Sequence, residues 1–302
     1  MGKKKLLVIG SLNMDLVVDV PRIPEVGETL LGYGYKTVPG GKGANQAYAS
    51  AKLGAETYML GSVGTDEYGR LLLGSLDSAG VHTECIERQQ RVHTGLAFIC
   101  VNSDGDNNIV VVPGANGTCT KEYIDGHKEL IQMCDIIVLQ LEIPMDTVSY
   151  VLETAKQMNK TVILNPAPAP DTFGESLLGK IDVLTPNEIE LQRLTGRRTD
   201  SIDAIKEAAG ILLSKGVKNV IVTIGDKGAL LVKKGECQYY PAKKVKALDT
   251  TGAGDSFTAA VAVALSEGKS LSEAMEFANK VAAVVVTREG AQTSFPARDE
   301  IK

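Results

Sequence analysis

Short apolar runs rich in Val, Ile and Leu recur along the chain at 6–9, 57–60, 136–139, 162–164, 183–184 and 220–224. They lack strict alternation of apolar and polar positions, as expected of central strands covered on both faces. Between them lie longer stretches with helical spacing, at 42–53, 67–79, 145–159, 188–194 and 201–214; two more follow in succession at 253–265 and 271–288. Strand and helix in alternation predict an α/β fold, a three-layer sandwich with a mainly parallel central sheet and helices on both sides. Two regions break the rhythm: 15–20 with 29–38, and 94–101 with 108–112, read as strands without intervening helices. Gly27, Gly32, Gly34, Gly40, Gly41 and the Asp104-Gly105 pair punctuate them. They predict a small antiparallel β lid built from about 15–38 and 94–112, with an apolar sheet face suited to a dimer contact. No linker, low-complexity tract or internal repeat interrupts the chain, so a single domain with its lid is expected over 1–302.

Composition narrows the function. A chain of 302 residues, 44% hydrophobic, supports a sizeable core, and a net charge of −5 argues against nucleic acid or an anionic membrane as partner. Cys85, Cys100, Cys119, Cys134 and Cys237 are odd in number and form no C-x-x-C pair, which suits reduced, mostly buried thiols. His82, His93 and His127 lack ligand spacing. Asn13 and Asp15 interrupt the apolar run after the basic amino terminus, and Leu6 stands where acylation needs Ser or Thr. With no apolar run of membrane-spanning length, the expectation is a soluble, cytoplasmic protein.

The segment Asp249-Thr250-Thr251-Gly252-Ala253-Gly254-Asp255 carries the strongest chemical signal. Its small residues precede a helix, where backbone N–H groups and the helix dipole can receive an anion. A carboxylate amid such donors repels bound phosphate unless it has a task. Asp255 as a base beside an anion hole points to phosphoryl transfer to a hydroxyl; Asp255 as a plain N-cap is the other reading.

Four further segments share one expected location. Pro39-Gly40-Gly41-Lys42-Gly43-Ala44-Asn45 opens a helix, lets backbone approach a ligand and places the Asn45 amide on the first turn. Asn13 and Asp15, two apart after the first strand, point to one side and suit vicinal hydroxyls, or serve ordinary turn chemistry. Asn187 and Glu190 share a helix face and could hold Mg2+ through water, or simply start a Pro-initiated helix. Thr223-Ile224-Gly225-Asp226-Lys227-Gly228 could line a nucleotide or make a hairpin turn. Asn13, Glu142, Asn187 and Thr223 each follow a strand, and ligands of open α/β sheets gather at the carboxyl ends of strands. The P-loop pattern is absent, since Gly43 follows Gly41-Lys42 and residue 36 is Lys; dinucleotide-binding and protein-kinase motifs are absent too.

On these residues the chain resembles the ribokinase/fructokinase-type carbohydrate kinase family, with motifs at 40–45 and 249–255 and similarity from Gly10 to Pro296. The similarity passes through Asn165-Pro166-Ala167-Pro168, Pro186-Asn187-Glu188 and Arg288-Glu289-Gly290-Ala291-Gln292. The resemblance implies a ribokinase-like sandwich whose lid commonly mediates a homodimer. It places Asn13, Asp15, Gly41, Lys42, Gly43, Asn45 and Glu142 on a sugar and makes Asp255 the base for its terminal hydroxyl. The N–H groups of Gly252, Ala253 and Gly254 become the anion hole. Asn187, Thr223, Gly225, Gly228 and Asn279 then contact ATP, with Asp226 and Lys227 in the same turn and Glu190 organising Mg2+. A monovalent cation, usually K+, falls to Asp249, Thr251, Val285, Arg288, Gly290 and Ser294, several through carbonyls.

Asn13 and Asp15 each require a hydroxyl, and a 2-deoxy sugar would leave one unpaired at about 1–3 kcal/mol. D-ribose is therefore the expected substrate; deoxyribose, fructose and nucleosides are the alternatives. A non-catalytic sugar-binding regulator is a further reading, against which the intact Asp255 and its glycines speak.

Overall fold

The computed structural model describes residues 4–301; residues 1–3, on which the reading of an amino-terminal signal partly falls, and Lys302 lie outside the described residues. The chain begins β1 (Leu6–Ile9), β2 (Asn13–Asp19), β3 (Gly34–Gly40), α1 (Lys42–Lys52), β4 (Thr57–Leu60), β5 (Ser62–Gly64), α2 (Glu67–Ala79) and β6 (Glu87–Gln89). It continues β7 (Gly95–Val101), β8 (Asn107–Val112), α3 (Lys121–Asp125), α4 (Lys128–Met133), β9 (Ile136–Leu139), α5 (Met145–Gln157), β10 (Thr161–Leu164), α6 (Glu175–Leu178) and β11 (Val183–Leu184). It ends α7 (Glu188–Thr195), α8 (Ile202–Ser214), β12 (Asn219–Thr223), β13 (Gly228–Lys233), β14 (Glu236–Pro241), α9 (Ala253–Ser266) and α10 (Leu271–Val285).

The central sheet has the order β14-β13-β12-β11-β10-β9-β1-β4. Neighbouring strands from β4 across to β12 run parallel, and β13 and β14 add an antiparallel edge. Because side chains alternate across a strand, the unbroken apolar runs feed two cores. Leu6, Val8, Ile136, Val138, Ile163 and Ile221 pack with α1, α2, α9 and α10 on one face. Leu7, Ile9, Ile137, Leu139, Leu164 and Val222 pack with α5 and α8 on the other. Helix α9 is apolar nearly all round and packs against both α1 and α10, as such a helix must.

Several details depart from the sequence reading. Strands β13 and β14 were not among the strands read from the sequence, although the hairpin reading of 223–228 implies the first; they pair through a turn at Gly235, φ 77°. Helix α10 stops at Val285 instead of 288, where the chain turns toward Gly290, φ 82°. The strand expected at 29–38 begins at Gly34, since 20–33 is a loop closed by an Arg22–Glu28 ion pair and by the Tyr33 N–H on the Asp19 carbonyl, 2.8 Å. All five thiols are free, yet only Cys119 and Cys134 are buried.

The separate small sheet has the order β3-β2-β7-β8. Its two hairpins are antiparallel, and they meet through a parallel β2–β7 pairing. Tyr35, Phe98, Ile109, Val110 and Val111 of this sheet are exposed. Among the described residues, no helix is long and apolar enough to cross a membrane.

Candidate active site

The parallel strands deliver their carboxyl ends to one edge, where Asn13, Glu142, Asn165 and Asn187 follow β1, β9, β10 and β11 and Thr223 ends β12. Helix α9 points its amino terminus at the same edge. Gly252 caps it in the left-handed region, φ 75°, and a Cβ there would approach the Phe295 ring to 2.9 Å. The N–H groups of Gly252, Gly254 and Asp255 have no hydrogen-bond partner among the described residues; that of Ala253 donates to the Thr250 carbonyl at 3.2 Å. The turn closed by left-handed Gly252 therefore occupies one donor assigned to the anion hole and leaves Gly252 and Gly254 free.

Asp255 lies in the first turn of α9, buried at 8% exposure. The Asn45 amide donates to one carboxylate oxygen at 3.0 Å, and the Gln46 amide donates to the other at 3.0 Å. Both come from the start of α1, which is set tightly against the chain leaving β1. Gly41, φ 86°, begins that helix, and a Cβ on it would lie 2.6 Å from the Asn13 backbone nitrogen. A Cβ on Gly43 would lie 2.6 Å from the Gly10 carbonyl carbon. Asn45 is oriented in turn by Gln292, which donates to its oxygen at 3.2 Å.

A group of charged side chains adjoins Asp255. The Lys42 N–H donates to Glu142 at 3.1 Å, and the Ser11 hydroxyl donates to the same carboxylate oxygen at 2.5 Å. Burial, then the charges of Glu142 and Asp255, push the Asp15 carboxyl up to about 7, while Lys42 opposes the shift. Burial disfavours the Lys42 ammonium, but Asp255, Glu142, Glu190 and Asp15 outweigh it and hold its pKa above the usual lysine value. Asn13 is buried, and its side-chain oxygen accepts from Asn116 at 2.7 Å, so its amide nitrogen is the end left for a ligand.

On the other side of Asp255 a cleft of 890 Å³ opens. Lys42, Asn187, Glu190, Thr223, Gly225, Asp226, Gly228, Asn279 and residues 252–255 line it. Lys227 is not among the lining residues, though its carbonyl accepts from the N–H of Ala242, which is, at 3.0 Å. The Thr223–Gly228 segment makes the hairpin turn between β12 and β13, and it also forms part of the cleft wall. Asn187 and Glu190 likewise form a capping box, with reciprocal bonds of 2.8 and 2.9 Å, while facing the cleft. Burial raises the Glu190 carboxyl against the pull of the Asn187 N–H and Lys42. The Asn279 amide donates to the Tyr240 and Pro241 carbonyls at 3.1 and 3.2 Å, which leaves its oxygen available.

Of the expected cation ligands, Asp249 joins the two segments that carry the others. Its carboxylate accepts from the Thr251 N–H and hydroxyl and from the Gly290 N–H, at 2.9, 2.7 and 2.8 Å. Burial raises its pKa, but these bonds outweigh it and hold the carboxyl below the usual range. The Val285 carbonyl accepts from the Arg288 N–H, the Arg288 guanidinium turns to Glu300 at 2.6 Å, and the Ser294 hydroxyl bonds the Ala291 carbonyl at 2.7 Å. Arg288 is thus limited to its main chain. Among the described residues no group of three or more His, Cys, Asp or Glu side chains could cage a metal.

Sequence reasoning missed Ser11, Gln46, Asn116, Gln140 and Gln292, which hold the candidate residues in place. Gln46 had a signal, being the neighbour of Asn45; Asn116 had none, since its partner Asn13 is 103 positions away.

A model of the pfkB family carbohydrate kinases matches residues 3–298. The chain belongs to this family. It is 42% identical over 299 residues to the Bacillus subtilis ribokinase, covering 99% of this chain and 98% of that protein. It is 40% identical over 295 residues to a Salmonella typhimurium deoxyribokinase, covering 98% and 96%. The Arabidopsis thaliana ribokinase solved with ribose and ATP superposes with a TM-score of 0.92 at 39% identity, over 99% of this chain and 98% of that one.

Proposed function

We propose that this kinase transfers the terminal phosphoryl group of ATP to the 5-hydroxyl of D-ribose, yielding ribose 5-phosphate and ADP. The observation that carries the reading is the Asp255 carboxylate, held between two amide donors at 3.0 Å beside the unpartnered N–H groups of α9, where the cleft ends. Asn13, Asp15, Asn45 and Glu142 bind and orient the sugar hydroxyls, with Gly41, Lys42 and Gly43 supplying close backbone. Asp255 takes the hydroxyl proton as the oxygen bonds to phosphorus. The N–H groups of Gly252 and Gly254, and of Ala253 if the Thr250 turn relaxes, receive the developing phosphoryl charge. Thr223, Gly225, Asp226, Gly228, Asn187 and Asn279 hold the nucleotide. Closure of the small sheet over the sugar excludes water that would otherwise take the phosphoryl group.

Two ions fit the residues present. Glu190 at the cleft wall would hold Mg2+ through its waters, and when bound the ion would neutralise phosphate charge. The 249–251 and 285–294 segments, tied by Asp249, offer carbonyls and one carboxylate for K+ near the anion hole. The exposed apolar strands of the small sheet suit a homodimer, for which sedimentation should give twice the 32.0 kDa chain mass; a monomer at micromolar concentration would contradict it. Free thiols and the need for ATP agree with a cytoplasmic setting.

The likeness to a deoxyribokinase favours one second reading, deoxyribose as acceptor. ADP release measured with ribose, 2-deoxyribose, fructose and a nucleoside, with and without K+, separates the two. Highest kcat/KM on ribose is expected; a clear preference for deoxyribose or a nucleoside would replace the ribose assignment.

A further inference from the structure

Behind Asp255 lies a buried line of side-chain amides. Gln46 and Gln140 are fully buried and Asn165 is 7% exposed. Amide ends are assigned from their partners, so direction here must be anchored on a group with one possible role. The Thr185 backbone carbonyl is such a group, because it only accepts. It takes a bond from the Asn165 nitrogen at 3.0 Å, which turns the Asn165 oxygen toward Gln46. The Gln46 nitrogen donates to that oxygen at 3.2 Å and to Asp255 Oδ1 at 3.0 Å. The Gln46 oxygen then faces Gln140, whose nitrogen donates to it at 2.6 Å. Reversing Gln46 would bring its oxygen against the Asp255 carboxylate and the Asn165 oxygen together, a cluster of acceptors with no proton between them. The line ends at the Gln140 oxygen, which has no partner and lies where a Cβ on Gly10 would come within 1.9 Å of it. Gly10 thus leaves the room Gln140 needs.

We propose that Gln46 is a positioning residue for phosphoryl transfer: its amide, oriented by Asn165 and Gln140, holds Asp255 Oδ1 from the buried side and so fixes the carboxylate that takes the sugar proton. The inference rests on the reading of Asp255 as the base. Gln46 reaches the reaction only through Asp255, from the buried side, whereas Asn45 is shared with the sugar. Loss of Gln46 should therefore slow turnover and leave both substrates bound.

Gln46→Met keeps the volume and removes the donor. Steady-state kinetics should show kcat lowered about 10- to 100-fold, the scale of a lost hydrogen bond to a charged group, with KM for ribose and ATP within about threefold. In an Asp255→Ala background the same substitution should leave the residual rate unchanged, because the two residues act as one unit. Wild-type kcat in Gln46→Met, or losses that multiply in the double variant, would overturn the proposal. Should Gln46→Met fail to fold, Gln140→Met removes the bond that holds the Gln46 oxygen and loosens its amide without touching Asp255; a several-fold drop in kcat supports the proposal and an unchanged kcat refutes it. Failure of the wild type to phosphorylate any sugar would instead strike the functional reading, so the two failures are distinct.

Discussion

Asp15→Asn should make the protein more stable and a worse kinase, with both effects set by pH. The Asp15 carboxyl rises from 3.8 to about 7 because it is largely buried and because Glu142 and Asp255 face it, with only Lys42 in opposition. A folded-state value above the unfolded one means the folded protein binds the extra proton. Its stabilising contribution is complete below pH ~4, declines as pH rises toward 7 and is gone above it. At about 1.36 kcal/mol per unit, the shift of about 3 units sets an upper bound near 4 kcal/mol on the cost of the ionised form. Water entering the cleft reduces this, so the neutral variant should gain about 1–3 kcal/mol at pH 8. Urea unfolding at pH 5 and 8 reads the effect, and the gain should be larger at pH 8. Ribose binding should follow the opposite sense, since the ionised carboxylate is the form that accepts sugar hydroxyls. About one molecule in ten is ionised at pH 6 and about nine in ten at pH 8, so the wild-type Kd for ribose should rise roughly tenfold between pH 8 and 6. The variant should bind weakly with no such slope. A variant no more stable at pH 8 than the wild type, or wild-type ribose affinity flat across this window, would refute the electrostatic argument.

Three other substitutions probe the site. Gly41→Ala should lower Tm and weaken ribose binding, because φ 86° and a 2.6 Å approach to the Asn13 nitrogen both resist a side chain, at about 1–3 kcal/mol; an unchanged melt would contradict it. Asn116→Ala removes the donors that hold the Asn13 oxygen and the Leu12 carbonyl, and should raise ribose KM by about 5- to 100-fold while leaving ATP KM alone. An equal rise in both constants would show a general collapse instead. Asp249→Ala unties 249–251 from Gly290, so stimulation of ADP release by K+ should disappear; full retained stimulation would place the cation elsewhere.

How much of this was legible in the sequence depended on the range of the interaction. The parallel strands were readable because burial on both faces leaves continuous apolar runs such as 136–139, which emerge as β9 with the same bounds. Strand β13 follows a turn that the sequence left open between a hairpin and a nucleotide loop, and the apolar run 229–232 was a local signal that went unread. The glycines at 41 and 252 could be read as places of close approach, and both have left-handed φ. The amide line was hidden for another reason. Gln46 meets Gln140 across 94 positions and Asp255 across 209, and only the assembled fold brings them together. Lys227 shares its turn with cleft residues, and only the assembled fold shows that it is not itself part of the lining.

The central claim, that the Asp255 carboxylate accepts the proton of the sugar hydroxyl, is tested most directly by Asp255→Asn. Single-turnover phosphorylation of ribose should slow by about 10² to 10⁴, the range for a positioned general base, while ribose affinity measured by calorimetry changes by no more than several-fold. Binding and turnover lost in equal measure, or turnover retained, would contradict it.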